Sequence, residues 1–501
     1  MPALMPVNLT AKRGSNNRAP SRPPRTGTVP RWPMLAPVIT VNDIELPGET
    51  LLRRFDHPGP RYTSYPTADR FVEAFDAATF AARLAKRGDQ AAPVPLSIYV
   101  HIPFCDKVCF YCACNKVVTR HHERAAEYLD ALQKEADLVA GLLTGPRNLE
   151  QLHFGGGTPT FLSGAELEQV MGMLARRFPL DEDAEVSIEV DPRSTPPEKV
   201  RLLATLGFNR MSVGVQDFDL QVQKAVNRLQ SYEMTRSTID TARQAGFKSV
   251  NLDLIYGLPK QTRAGFARTL DRVLELSPER IALYHYAHLP ERFKPQRRIV
   301  AGELPPSEEK TQIMLDAITR LTQAGYRYIG MDHFAKETDE LARAQALGRL
   351  HRNFQGYSTR PDCDLIGLGV SSISKVGPTY SQNVRELDEY YDRLRAGLLP
   401  TARGVLLDMD DLLRRAVIMS LMCHLEVSKE AIEAAHLIRF DEYFKRELED
   451  LRTFEEAGLV EVTPDWISVR PRGKLLIRAI AMVFDRYLRQ DQRLRRYSKI
   501  V

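Results

Sequence analysis

Six short runs of β-forming residues recur along the middle of the chain, at 96–102, 151–154, 185–190, 210–215, 249–256 and 280–286. The segments between them carry helical spacing. In one, Leu167, Val170, Met171, Leu174 and Phe178 fall on a single face; in another, Leu129, Leu132, Ala136 and Val139 do so. The junctions repeat a phrase: Leu206-Gly-Phe208, Ala245-Gly-Phe247 and Ala324-Gly-Tyr326. Glycine just past a helix supplies a left-handed cap, and the aromatic after it packs back on the last turn. Strands alternating with helices at this pitch imply right-handed β-α-β units and a parallel sheet. Six or more such units predict a full or partial (β/α) barrel, with its chemistry at the carboxyl ends of the strands.

The segment after the first strand carries that chemistry. Residues 105–115 read Cys-Asp-Lys-Val-Cys-Phe-Tyr-Cys-Ala-Cys-Asn, placing four of six cysteines within ten residues. Soft thiolates this close select an iron–sulfur cluster, and a cube held by three of them keeps one iron open. Structural zinc and disulfides are the alternatives. Zinc ribbons usually pair two separated cysteine knuckles, and no second cluster follows, since Cys363 and Cys423 stand alone. A chain this long builds its own core without staples.

The next strand ends in Phe154-Gly-Gly-Gly-Thr-Pro-Thr160. Three glycines let backbone approach a ligand and offer N–H groups to a carboxylate or phosphate. Glu189, Gln216 and Asp253 stand at or near further strand ends, and each could instead cap a helix or face solvent. Their recurrence around one rim favours a shared site.

Charge narrows the function classes. The formal net charge is +5, yet Lys12, Arg13, Arg18, Arg22, Arg25 and Arg31 precede the first acid, Asp43. Without those six, 63 basic residues face 64 acidic ones, which gives little support to nucleic-acid or anionic-membrane binding. Residues 1–48 read as a disordered, Pro-rich basic tail. Its prolines argue against a transit helix, and no apolar core marks a signal peptide. No apolar run reaches the roughly 18 residues of a membrane helix. A cytoplasmic enzyme, monomeric, is expected.

The words around these features are more specific. Tyr99-Val-His-Ile-Pro-Phe-Cys105, His153-Phe-Gly-Gly-Gly-Thr-Pro-Thr160, Glu189-Val-Asp-Pro192, Gly214-Val-Gln-Asp-Phe218, Leu254-Ile-Tyr-Gly-Leu-Pro259 and His351-Arg-Asn-Phe-Gln-Gly-Tyr357 resemble the oxygen-independent coproporphyrinogen III oxidases (dehydrogenases), of the radical S-adenosylmethionine superfamily. Pro58-Gly-Pro-Arg-Tyr-Thr-Ser-Tyr-Pro-Thr67 is similar to their N-terminal signature. Related haem chaperones share the barrel words but typically lack that segment and the pair Cys112-Ala-Cys114.

The resemblance runs from about residue 50 onward. It implies a radical SAM partial barrel over 96–404, a substrate-covering segment over 49–95 and a helical lid domain over 405–501. It implies one [4Fe–4S] cluster on Cys105, Cys109 and Cys112, with Cys114 left out so that the fourth iron stays free. Two S-adenosylmethionine molecules would be shared among Tyr99, Tyr111, Gly156, Gly157, Thr158, Glu189, Gln216, Arg228, Asp253, Ala287 and Ile373. Tyr111 stands where the family can have phenylalanine; an aromatic face survives. The implied reaction turns two propionates of coproporphyrinogen III into vinyl groups, giving protoporphyrinogen IX in haem (porphyrin) biosynthesis. A 5′-deoxyadenosyl radical does this, with an electron from a donor such as flavodoxin. The substrate is tetra-anionic, and Arg61 is the candidate partner for one of its carboxylates, a solvated surface arginine being the alternative.

Beyond residue 405 the pattern turns helical. A hairpin is expected between Phe454–Val462 and Trp466–Val469, then a helix over 474–488, the outline of a winged helix. Its acids, Glu449, Asp450, Glu455, Glu456, Glu461 and Asp465, weaken a DNA-binding reading and favour a lid. The competing functions are a haem-binding chaperone of the same superfamily and an Fe–S sensor with a winged-helix output.

Overall fold

The computed structural model describes residues 40–41, 44–89, 94–360 and 362–490; most of the basic tail lies outside them. Twelve strands form one sheet: β1 Leu96–Ile102, β2 Leu149–Gly156, β3 Leu180–Val190, β4 Arg210–Gln216, β5 Ser249–Tyr256, β6 Arg280–His285, β7 Tyr326–Gly330, β8 His333–Lys336, β9 Asp364–Leu368, β10 Ile373–Val376, β11 Thr379–Asn383 and β12 Thr401–Leu406. Their order is β7-β8-β6-β5-β4-β3-β2-β1-β9-β10-β11-β12. The stretch from β9 through β1 to β6 is parallel, with Tyr99 opposite both His153 and Gly367. Antiparallel strands extend it at both edges. This is the expected partial barrel, with β1 at the centre of the sheet rather than at a border.

Helices α1 Arg124–Leu142, α2 Gly164–Ala175, α3 Pro197–Thr205, α4 Tyr232–Gln244, α5 Arg263–Leu276 and α6 Ser307–Gln323 follow β1 to β6 in turn. Leu167, Val170, Met171 and Leu174 are buried on α2, and Ser163 closes a capping box with Glu166. Gly207 and Gly246 adopt φ 93° and 92° after α3 and α4, and the N–H groups of Phe208 and Phe247 reach back to Leu203 and Ala242. The repeated glycine phrase is therefore a helix stop that turns the chain into the next strand. The main core lies between these helices and the sheet, and also takes Leu52, Phe55, Phe80 and Leu84 from the N-terminal segment. Ile44 is buried in it, so packed chain begins ahead of residue 49.

The C-terminal part holds α7 Met409–His424, α8 Lys429–His436 and α9 Lys445–Glu456, with strands β13 Glu426–Ser428, β14 Val460–Val462 and β15 Trp466–Val469 in the order β13-β15-β14. The winged-helix outline is present. The expected continuous helix over 474–488 is not; a 3₁₀ turn Pro471–Leu476 and short helices Ile477–Met482 and Arg486–Gln490 replace it. Tertiary contacts break it. Asp485 accepts from the Tyr62 hydroxyl at 2.9 Å and from the N–H of Tyr487, while the Arg486 N–H donates to the Tyr65 hydroxyl. Tyr62 and Tyr65 belong to the C-terminal core, packed with Leu413, Val417, Phe440, Phe444 and Phe484. Among the described residues no helix is long and apolar enough to cross a membrane.

One buried acid ties α1 to the sheet's far half. Glu135 accepts from Gly369 N–H (2.7 Å), Asn383 Nδ2 (2.6 Å) and the Tyr390 hydroxyl (2.6 Å). Burial pushes its carboxyl up to about 7 even against those donors. A raised folded value means that this stability is fully present below the ordinary 4.5 and is lost as pH rises through 7. Glu135→Gln should flatten the fall in unfolding free energy between pH 5 and 8 by up to about 3 kcal/mol, read from denaturant melts across that range. An unchanged slope would refute the assignment.

Candidate functional site

The loop after β1 presents the four clustered cysteines to a cavity of about 970 Å³, open at one side. Cys105, Cys109, Cys112 and Cys114 all line it; Cys105 and Cys109 are buried, Cys112 is half-buried and Cys114 exposed. No three His, Cys, Asp or Glu side chains among the described residues are drawn together as a single metal ion requires.

Cys105 and Cys109 have donors on their sulfurs, and Cys112 is held through its backbone. The Thr158 hydroxyl donates to Cys105 Sγ at 3.4 Å, Arg193 Nη2 to Cys109 Sγ at 3.4 Å, and Arg228 Nη1 stands 3.6 Å from the same sulfur. Lys116 Nζ holds the Cys112 carbonyl. Contact with Cys114 first, and Lys116 nearby, bring the Cys112 thiol down to about 6, whereas burial pushes Cys105 up to about 12. Donors around ligating groups fix orientation and charge, as outer partners of metal ligands do. The donor set fits a cluster.

Of the expected cofactor contacts, Tyr111, Gly156, Gly157, Thr158, Glu189, Gln216, Arg228 and Asp253 line this one cavity. Tyr99, Ala287 and Ile373 are not part of that lining. Tyr99 lies behind it, beside Gly155 and Glu189, its hydroxyl on His101 Nδ1 at 3.0 Å. His101 Nε2 faces the Asn115 carbonyl, so Nε2 carries the proton and Nδ1 accepts. Ala287 is joined to Tyr111 through Gln296, which donates to both carbonyls. Ile373 packs against Gly367, the strand partner of Tyr99.

The glycine loop does something other than offer free N–H groups. Gly156 N–H already donates to Glu189 Oε2 at 3.2 Å, and Gly157 N–H to the Ile102 carbonyl at 2.8 Å. What demands glycine is proximity. A Cβ on Gly157 would stand 2.5 Å from the Pro103 oxygen and 2.9 Å from that of Phe104, both rigid backbone. The loop is thus pressed against the start of the cysteine segment. Gly157→Ala should cost about 1–3 kcal/mol and loosen the cysteines, with iron retention after reconstitution reduced. Wild-type stability and iron content in that variant would count against the contact.

Asp253 sits in a closed set: Ser212 Oγ and Asn251 Nδ2 donate to its two oxygens at 2.9 and 2.8 Å. Burial, opposed by Ser212, leaves its carboxyl at about 6. Gln216 holds φ 68°, a left-handed conformation costly for a residue with a Cβ and concentrated at functional sites. Sequence reasoning missed Asp191 and Arg193. Burial works against the Asp191 charge, yet Arg228 at 3.1 Å and the Arg193 fork hold the carboxyl at about 2. Asp191 lay inside the quoted Glu189-Val-Asp-Pro192 phrase, and its place after β3 was the available signal. Arg193 had none.

A second cavity of about 930 Å³ fills the barrel lumen and shares Glu189, Ser212, Asp253 and Tyr284 with the first. His153, Tyr357, His333 and Gln355 also line it.

Residues 99–273 match the family model of the radical SAM superfamily, and residues 407–476 that of the HemN C-terminal domain. The chain is 49% identical over 453 residues to the oxygen-independent coproporphyrinogen III oxidase of Pseudomonas aeruginosa, covering 90% of this chain and 98% of that one. It is 47% identical over 451 residues to the enzyme of the same name from Escherichia coli, covering 90% and 98%. A solved structure of the Escherichia coli coproporphyrinogen III oxidase, described as a radical SAM enzyme, superposes with a TM-score of 0.84 at 46% identity, over 89% of this chain and all of that one. Identity sustained across the barrel and the C-terminal domain alike makes this chain a member of the oxygen-independent coproporphyrinogen III oxidase family of radical SAM enzymes.

Proposed function

We propose that the chain oxidatively decarboxylates two propionates of coproporphyrinogen III to vinyl groups without oxygen, using one [4Fe–4S] cluster on Cys105, Cys109 and Cys112 and two S-adenosylmethionine molecules. The observation that carries this reading is the convergence of three supported cysteines, Glu189, Gln216, Arg228 and Asp253 on one cavity in a chain of this family. When bound, the reduced cluster and S-adenosylmethionine supply one-electron chemistry that removes hydrogen from an unactivated carbon. Each propionate, having given up that one hydrogen atom, then loses CO2 and passes one electron to a one-electron acceptor outside the chain, which leaves the vinyl group.

The chain's own residues bind, orient and exclude water. Glu189 and Asp253 are acceptors for the ammonium and ribose hydroxyls of S-adenosylmethionine, and the Tyr111 ring packs on it. Arg228 offers positive charge to its carboxylate, held in place by Asp191 and the Gly214 carbonyl. Tyr99, Ala287 and Ile373 act from behind the lining. The two adjoining cavities, joined at Glu189, Ser212, Asp253 and Tyr284, support more than one ligand. The described parts of the 49–95 and 405–501 segments together cover the barrel. A flavodoxin-class protein delivers the electron to a cytoplasmic monomer. The relatives give no support to a haem chaperone.

The test is anaerobic: reconstituted protein, a low-potential reductant, S-adenosylmethionine and coproporphyrinogen III, with products followed by mass. Substrate-dependent 5′-deoxyadenosine with two successive losses of CO2 plus two hydrogens is expected. Cleavage without decarboxylation would reject the substrate, and an intact cluster with no cleavage would reject the reaction.

A further inference from the structure

Arg61 and Arg352 lie 291 residues apart in sequence, yet Arg352 Nη2 reaches the Arg61 carbonyl at 3.4 Å. Arg61 stacks over the Tyr284 ring with its guanidinium carbon 5.6 Å from the centroid; Arg352 does the same over Tyr357 at 4.5 Å. Both rings line the lumen, and Tyr284 lines the cysteine cavity as well. Arg478 and Lys310 add charge to the same neighbourhood, each acting on His285. Asp332, paired with Arg61, and Asp56 stand against these cations, and Arg352 itself borders an adjacent cavity that also holds Asp362, Lys375 and Arg415.

The arginines are not used alike. Arg478 donates to the Gly59 and Pro60 carbonyls and so holds the N-terminal signature. Arg352 is only 9% exposed, and its Nε and Nη1 are buried without a hydrogen-bond partner among the described residues. A buried guanidinium with two idle donors is costly unless an anion meets it.

We propose that Arg61 and Arg352 form a carboxylate anchor that grips a non-reacting propionate of the tetrapyrrole; the proposal rests on the reading of this chain as a coproporphyrinogen oxidase. Planar guanidinium forks match a carboxylate through paired N–H···O bonds. Asp332 shows a carboxylate already seated on Arg61. Tyr284 stands between the anchor and the cysteine cavity, so a carboxylate held at Arg61 leaves another arm of the macrocycle facing the cofactors. The two arginines also act on Arg478, which burial, then Arg61 and Arg352, bring down to about 9.

The probe is coproporphyrin III, the aromatic, air-stable form bearing the same four propionates, beside its uncharged tetramethyl ester. Both are titrated by fluorescence against reconstituted wild-type, Arg352→Gln and Arg352→Lys proteins. Arg352→Gln should weaken coproporphyrin III binding about 10- to 100-fold, Arg352→Lys, which keeps the charge but not the planar fork, should recover only part of it, and ester binding should be equal in all three. KM for coproporphyrinogen III should rise in Arg352→Gln with kcat little changed. Unchanged affinity in a folded Arg352→Gln protein, or an equal loss for the ester, overturns the anchor. If that variant does not fold, Asp332→Asn decides, because it removes the competing carboxylate and keeps both arginines. It should bind coproporphyrin III at least as tightly as wild type, and weaker binding overturns the proposal. Wild-type protein that neither binds coproporphyrin III nor decarboxylates its reduced form rejects the parent function; wild-type turnover with an insensitive Arg352 rejects the anchor alone.

Discussion

Alanine at Cys105, Cys109 or Cys112 should abolish S-adenosylmethionine cleavage, while Cys114→Ala keeps a full complement of iron. Four sulfurs line the cavity, but a cube that leaves one iron open needs three. The supports divide them. Cys105 has the Thr158 hydroxyl, Cys109 has Arg193 and Arg228, and Lys116 fixes the Cys112 backbone. Cys114 is exposed. Losing a ligand outright should exceed the roughly 10- to 100-fold cost of losing an outer partner. Iron and sulfide analysis with visible absorption reads the result. A Cys105→Ala protein with normal iron, or a Cys114→Ala protein without it, would reverse the assignment.

Arg228→Met should be the most damaging change that touches no cluster ligand. The guanidinium is buried, paired with Asp191, bonded to the Gly214 carbonyl at 2.7 Å and close to Cys109 Sγ. Removing it strands a buried carboxylate with Arg193 as its remaining cation. Breaking one side of such a pair typically costs about 3–5 kcal/mol. Part of that loss should appear in the denaturant midpoint of the apoprotein, before any cofactor is added. S-adenosylmethionine affinity of the reconstituted protein should drop as well, by about tenfold or more. Destabilisation below about 1 kcal/mol would show that Arg193 alone suffices for Asp191.

Six of the seven parallel strands were legible because their apolar runs are bounded by glycine, proline and helical spacing, and Asp364–Leu368 was missed; the expected bounds of β1 and β5 coincide with the observed ones. The antiparallel extensions were not. Thr379–Asn383 reads Thr-Tyr-Ser-Gln-Asn and is almost wholly buried, so neither hydropathy nor alternation marks it as a strand. The 474–488 helix failed for the opposite reason. Its local pattern is helical, but Asp485 serves Tyr62 from more than 400 residues away. The site followed the same division. Residues at strand ends could be placed on the rim by position alone, whereas the occupied N–H groups of Gly156 and Gly157 and the pairing of Arg228 with Asp191 depend on contacts between loops.

The clasp between Arg478, Asp485 and Arg486 on one side and Gly59, Pro60, Tyr62 and Tyr65 on the other also orders events in time. The Tyr62–Asp485 bond spans 423 residues. At about 5–20 residues per second on the ribosome, roughly 20 to 80 s separate the emergence of its two halves. The barrel's last strand ends at Leu406, so only in the final part of that interval, roughly 4 to 16 s at the same rate, is the barrel made while Tyr62 still lacks Asp485. The clasp is therefore the last of these contacts to close, after the cysteine loop and the sheet around it have been made.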